Sequence, residues 1–492
     1  MSVARNLIAV GAAAAVSMAV AGIALAWWLA HAPAAALQLR VPGADGRPAG
    51  VQTAAGEVDL AVSFVKFDAA PADLPSESPR LRGDSPEWPR FRGPGFDNIS
   101  KQSKPLADKW PQDGPRRLWR VDLGEGHAAP VVWAGRVYVL DYDEKAKADA
   151  IRCFSLADGS ELWRRSYSVS VKRNHGMSRT VPAVAEGALV TFGPRCHVVC
   201  LDPITGDFKW GVDLQRQYGA REPLWYAGQC PLIDGGRVIL APCGTDVLMM
   251  ALDAQTGQEV WRTPNTAKWN MSHSSIMPMT IAGRRMYVYC AIGGMAGVSA
   301  EPGSEGTLLW QAPWSARVVA PSPVQLDGGT IFQAAGYGKG GMTVQVVEKG
   351  GAFEATIVEE HDPKNGIACE QQTAIYHDGL LYAIMPKDAG PLHGQFVCYN
   401  QYGALVWASG AENRFGLGPF LLADNKFYVL NDNGTLSMLR ASRESFELLA
   451  AARVLDGQDA WGPIALAGNR MLLRDSRQMV CIDVGANQER PL

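Results

Sequence analysis

Cys200-Leu201-Asp202-Pro203-Ile204-Thr205-Gly206, followed by Trp210, is one occurrence of a phrase that recurs down this chain. It stands upstream as Cys153-Phe154-Ser155-Leu156-Ala157-Asp158-Gly159 with Trp163, and downstream as Ala251-Leu252-Asp253-Ala254-Gln255-Thr256-Gly257 with Trp261. Looser forms precede Trp310 and Trp407. The Trp residues are 47, 51, 49 and 97 positions apart, the last close to two repeats. Such a period marks a β-propeller or another repeat array. The apolar run supplies a strand, and Thr-Gly or Asp-Gly supplies the positive φ of a tight turn. Trp then opens the next strand, with a ring wide enough to fill the gap between neighbouring units.

Inner strands are announced at Pro130, Pro182, Pro231, Pro278, Pro323, Thr373, Pro419 and Pro463, at intervals of 52, 49, 47, 45, 50, 46 and 44. Each is followed by a Gly-centred turn and a second strand, as in Trp133-Ala134-Gly135-Arg136-Val137-Tyr138-Val139-Leu140. The last unit stops after Val480-Cys481-Ile482-Asp483-Val484 without a Trp strand. Residues 117–123, Arg117-Leu118-Trp119-Arg120-Val121-Asp122-Leu123, look like an outermost strand with no blade before it. Pairing the two segments closes a ring and removes its open edges. The expectation is therefore an all-β, eight-bladed β-propeller of four-stranded antiparallel blades over residues 86–492, with seven blades as the alternative.

The phrase resembles the repeat of the quinoprotein-type propellers, the PQQ-binding-like repeat. Trp88-Pro89-Arg90-Phe91-Arg92-Gly93-Pro94 resembles the lead-in of bacterial exported propellers of that class. Within it, the chain is similar to the outer-membrane protein assembly factors of the BamB type, which implies a non-catalytic propeller that presents one face to a protein partner in the cell envelope.

With 47% hydrophobic and 19% charged residues, the composition suits one large β domain. A net charge of −3 and no basic tract argue against nucleic acid. Leu7 to Ala30 runs 24 residues without a charge, longer than the ~7–15 of a secretory h-region and enough for the ~20 of a spanning helix. Trp27 and Trp28 stand near its far end, as interfacial aromatics do. Residues 1–30 are read as an uncleaved inner-membrane anchor, with a signal segment cut after Ala34 as the alternative. The propeller, expected to be monomeric, then lies in the periplasm. Residues 31–85 read as an Ala/Pro/Gly-rich spacer with a possible short hairpin around Val58 to Val65.

Cys153, Cys200, Cys398 and Cys481 share one repeat position with Ala251 and Ser299, a small buried strand slot. Cys230 and Cys243 could face each other across neighbouring strands, and sequence leaves that open.

The loops running into each inner strand should converge at the channel mouth. They carry His127, His175, Arg179, Trp225, Gln229, His273, Glu370, Gln371, Arg414, Asp459 and Trp461, which are the ligand-binding candidates. A zinc site of His127, His175 and His273 requires loops from separate blades to meet. No metal and no cofactor are expected. The quinone dehydrogenases of this fold carry a vicinal Cys pair, a stacking Trp and a Glu/Asn/Asp calcium set. No adjacent Cys pair occurs here, and the set cannot be assembled from Asp459 and Glu370. Three functional readings stay open: a non-catalytic scaffold with a protein partner, a quinone-dependent dehydrogenase using calcium, and a glycan or small-ligand binder at the aromatic mouth.

Overall fold

At Asp202 the carboxylate accepts hydrogen bonds from the backbone N–H of Ile204 (2.8 Å) and Thr205 (3.0 Å), so the repeat phrase closes on itself as an Asx-type turn. Gly206 follows with φ +70°. A second constraint acts on that glycine. A Cβ placed on it would lie 2.7 Å from Cδ2 of Trp163, the tryptophan of the preceding blade. Gly159 meets Trp119 at 2.8 Å, and Gly257 meets Trp210 and Gly306 meets Trp261 at 2.7 Å, in the same way. The indole N–H completes the lock: Trp119 Nε1 donates to the Leu156 carbonyl and Trp210 Nε1 to that of Ala254, both at 3.0 Å. Each ring thus docks on the next blade's turn, 40 to 47 residues further along the chain.

The computed structural model describes residues 16–27, 86–102, 104–173, 176–457 and 459–486. Eight sheets are each built on four antiparallel strands, which in seven of them follow sequence order from the channel outward. The first comprises Val131–Trp133, Arg136–Asp143, Ala148–Ser155 and Glu161–Ser168. In the last, Arg116–Asp122 pairs antiparallel with Gln478–Asp483, setting Trp119 opposite Cys481. This join closes the ring, leaving only the short outer edges of the blades.

All nine cysteines are free thiols, so the Cys230–Cys243 bridge left open by the sequence is not made. Cys230 Sγ instead accepts from the Val181 N–H, and Cys243 Sγ donates to the Leu248 carbonyl. Cys153, Cys200, Cys398 and Cys481 are fully buried, and burial pushes the Cys153 thiol up to about 12.

The lead-in is a belt across one end of the channel. Trp88 exchanges two backbone hydrogen bonds with Val132 of the first blade, and the Pro89 carbonyl accepts from Val184 of the second. Arg90 Nη1 donates to Ile233 of the third, and Phe96 packs on the core shared by the fourth and fifth. Arg92 reaches the sixth blade, Asn98 the seventh and Gln102 the eighth. Ile99–Ser100 adds a short parallel strand beside Phe420–Ala423. Gly468, which Gln102 meets, belongs to a turn between a first and a second strand. The belt therefore closes the face opposite the loops named in the sequence analysis.

In a separate N-terminal unit, residues 16–27 form a helix. No helix among the described residues is long and apolar enough to cross a membrane, and the rest of the span expected over 1–30 lies outside them. Residues 1–15, 28–30 and the spacer 31–85 with its hairpin lie outside the described residues.

Candidate functional site

The belt turns the channel into a blind cup, a cavity of about 240 Å³ floored by Phe91, Arg92 and Asn98. Arg92 is buried, and its guanidinium donates to the carbonyls of Phe96 (2.8 Å), Asp97 (3.1 Å), Thr373 (3.3 Å) and Ala374 (3.1 Å). Burial lowers its pKa to about 10, which still leaves it cationic at neutral pH.

The walls come from loops of several blades. Trp225 lies nearly parallel to His273, with centroids 6.4 Å apart at 18°, and meets Tyr337 at 5.2 Å. Across the mouth, His127 packs on Trp461 at 4.9 Å. Trp461 Nε1 donates to Asp432 Oδ1 at 2.9 Å, and its carbonyl accepts from Gln372 Nε2 at 3.0 Å. Burial raises the Asp432 carboxyl. Arg179 donates to the Gly176 carbonyl at 3.1 Å, and burial lowers it to about 10. Burial, reinforced by the Arg179 charge, drops His273 to about 3, so its ring is neutral at pH 7. Glu370 is 3% exposed and pairs with Lys387 at 3.1 Å, and this contact raises the lysine.

These walls are held in unfavourable backbone conformations. Trp225 and Tyr226 have φ of +65° and +75°, Tyr337 has +59°, and Asp459, two residues before Trp461, has +57°. A left-handed residue with a side chain costs roughly 1 kcal/mol or more. The Trp225–Tyr226 pair is fixed from outside: Tyr226 Oη donates to the Lys172 carbonyl at 2.8 Å and accepts from its N–H at 2.7 Å.

Of the sequence candidates, His127, Arg179, Trp225, His273, Glu370, Gln371 and Trp461 all line this one cup. Gln229 does not. It is fully buried and ties strands together, bonding both the N–H and the carbonyl of Ala241. Arg414 points to the carbonyls of Pro391 and His393, bracing a turn of the sixth blade. Asp459 is exposed, and its carbonyl accepts from the Trp461 N–H at 2.8 Å, which aims that ring. His175 lies outside the described residues. Tyr337 and Lys387 were not anticipated, because they sit on connections between second and third strands, the other loop class of this face. Phe91 and Arg92 lie in the lead-in, ahead of the first repeat, where no repeat position marks them.

Chemically the cup offers rings, cations and hydrogen-bonding groups. Its one lining carboxylate, Glu370, is already paired. Among the described residues there is no group of three or more His, Cys, Asp or Glu side chains placed to hold a metal.

A family model described as outer membrane protein assembly factor BamB matches residues 147–389. No curated protein matches the chain. Among solved structures, the quinohemoprotein alcohol dehydrogenase ADHIIG from Pseudomonas putida HK5 is 13% identical over 82% of each chain, with a TM-score of 0.54. The computationally designed Ika8 protein is 12% identical over 75% of this chain and 99% of its own, with a TM-score of 0.50. BamB from Moraxella catarrhalis is 14% identical over 77% of this chain and 99% of its own, with a TM-score of 0.49. At these identities the likeness is one of fold.

Proposed function

For a chain that is an eight-bladed β-propeller of the PQQ-binding-like repeat class, we propose the role of a non-catalytic binding module of the bacterial cell envelope. Its loop face captures a protein partner, and the cup receives a group of that partner. The apolar N-terminal stretch holds the chain at the inner membrane with the propeller on the periplasmic side. The observation that carries this reading is the set of left-handed residues Trp225, Tyr226 and Tyr337. A mere channel plug needs no such strain, whereas a preorganised site does.

Pyrroloquinoline quinone with calcium is the group that the fold class brings to mind. The donor chemistry of the cup does not fit the metal. Calcium takes ~6–8 oxygen ligands, and the single lining carboxylate is held by Lys387 at 3.1 Å. The dehydrogenase reading is accordingly set behind the binding reading.

The test places a photo-crosslinking residue at Gln371, on the cup, and at Gly235, on a turn of the opposite face with open space around it. The full chain in its envelope should give one defined protein adduct from Gln371 and none from Gly235, and Trp225→Ala should remove it. Equal adducts from both positions, or none, would overturn the proposal. So would a saturable absorbance change and thermal shift with pyrroloquinoline quinone and calcium.

A further inference from the structure

A second depression opens beside the cup, a cavity of about 230 Å³ that shares His273 and Val318 with it. It is lined by Arg221 and Arg317, one from the third-blade loop that carries Trp225 and the other from the loop that enters the fifth blade. Both arginines are exposed. Neither has a hydrogen-bond or ion-pair partner among the described residues.

The one acid in this notch, Glu222, is already engaged. Arg195 Nε holds it at 2.5 Å, and Gln215 Nε2 donates to it at 3.2 Å. Arg262 and Arg285, also exposed, are matched with Glu259 and Asp234. Two guanidiniums on one concave surface, without a counter-charge, repel each other and attract oxyanions. The planar fork of arginine suits a carboxylate, which it binds through two parallel N–H···O bonds. Pro223 and Leu224, the latter 48% exposed, supply apolar surface at the same place.

We propose that Arg221 and Arg317 form a carboxylate-binding notch, and that the partner of the loop face presents an acidic segment there, with Asp or Glu side chains beside the group that enters the cup. This rests on the binding reading above and names the chemistry of its partner.

The probe is a fluorescently labelled hexaglutamate peptide titrated into the full chain at low ionic strength. Binding should be saturable and should weaken tenfold or more in the Arg221→Ala/Arg317→Ala double variant. It should change less than twofold in Arg117→Ala/Arg443→Ala, which removes the same charge elsewhere. Equal losses in both double variants would mean unspecific attraction and overturn the proposal. Displacement by inorganic phosphate at concentrations where acetate has no effect would also overturn it, by assigning a phosphate site instead. The two readings fail separately. Hexaglutamate binding that depends on the notch, with no adduct from Gln371, keeps the notch and sinks partner capture. An adduct from Gln371 that survives loss of both arginines keeps capture and sinks the notch.

Discussion

Trp225 stacks over His273 at an interplanar angle of 18° while its own backbone sits at φ +65°. The ring gains its place in the cup through a conformation that L-residues avoid. Two substitutions separate the terms. Trp225→Ala and Trp225→Gly delete the same ring, and both should abolish partner capture. Glycine has no Cβ to strain, so Trp225→Gly should be the more stable of the two by about 1 kcal/mol. Thermal denaturation of the pair measures this directly. An alanine variant at least as stable as the glycine variant would mean that the site stores no strain.

Gly206 and Gly235 give a second comparison. Both are left-handed, at +70° and +54°. A Cβ at Gly206 strikes Trp163 at 2.7 Å, whereas a Cβ at Gly235 meets nothing within 4 Å. Gly235→Ala should lose roughly 1 kcal/mol from backbone strain alone. Gly206→Ala adds overpacking against a tryptophan between blades and should lose roughly 2–4 kcal/mol. Chemical denaturation of both variants checks the difference.

That contrast also shows what the sequence makes legible. The Trp–Gly lock recurs at four successive blade junctions with the same geometry, so its period discloses the fold, while the Pro-headed inner strands give the number of blades. The cup is built from positions where the repeats differ. His127, Arg179, Trp225, His273 and Trp461 stand out as polar or aromatic residues at loop positions that the period locates. Tyr337 and Lys387 do not, because the connections between second and third strands vary in length and give no register. Arg92 was hidden for a different reason. Its four carbonyl partners include two that are more than 280 residues away, and no local pattern encodes a contact of that kind. Gln229 and Arg414 show the converse, since a polar residue in the right loop can also serve a strand or a turn.

Asp149 supplies a pH prediction. It is fully buried between the first two blades, and Tyr167 Oη donates to its Oδ2 at 2.5 Å. Burial raises its carboxyl to about 7, Asp141 adds to that, and the tyrosine hydrogen bond opposes it. In the unfolded chain the group titrates near ~4. Between those values the folded state holds a proton that the unfolded state has released, so stability falls as pH rises. The loss should begin near pH 4 and be complete a little above pH 7, amounting to a few kcal/mol. Asp149→Asn should flatten this part of the profile. Denaturant midpoints from pH 4 to pH 8 test it, and an unchanged slope in the variant would assign the pH dependence to another group.

Arg92 carries the last prediction, since it joins the belt to the wall of the cup. Two of its acceptors, Phe96 and Asp97, keep the belt folded on itself. The other two, Thr373 and Ala374, lie at the entrance of the sixth blade's inner strand, directly after Glu370, Gln371 and Gln372. Arg92→Ala removes a buried cation and leaves four carbonyls to find other donors, so a loss of roughly 3–5 kcal/mol is expected. Arg92→Lys keeps the charge but has a single nitrogen and no fork, so it should recover only part of that loss. The readout specific to the belt is local. In the lysine variant, amide exchange should rise over 88–100 and 370–374 together, while the Trp–Gly turns of the first three blades keep their protection. Exchange that rises uniformly around the ring would mean that Arg92 supports the whole propeller and not the floor of the cup.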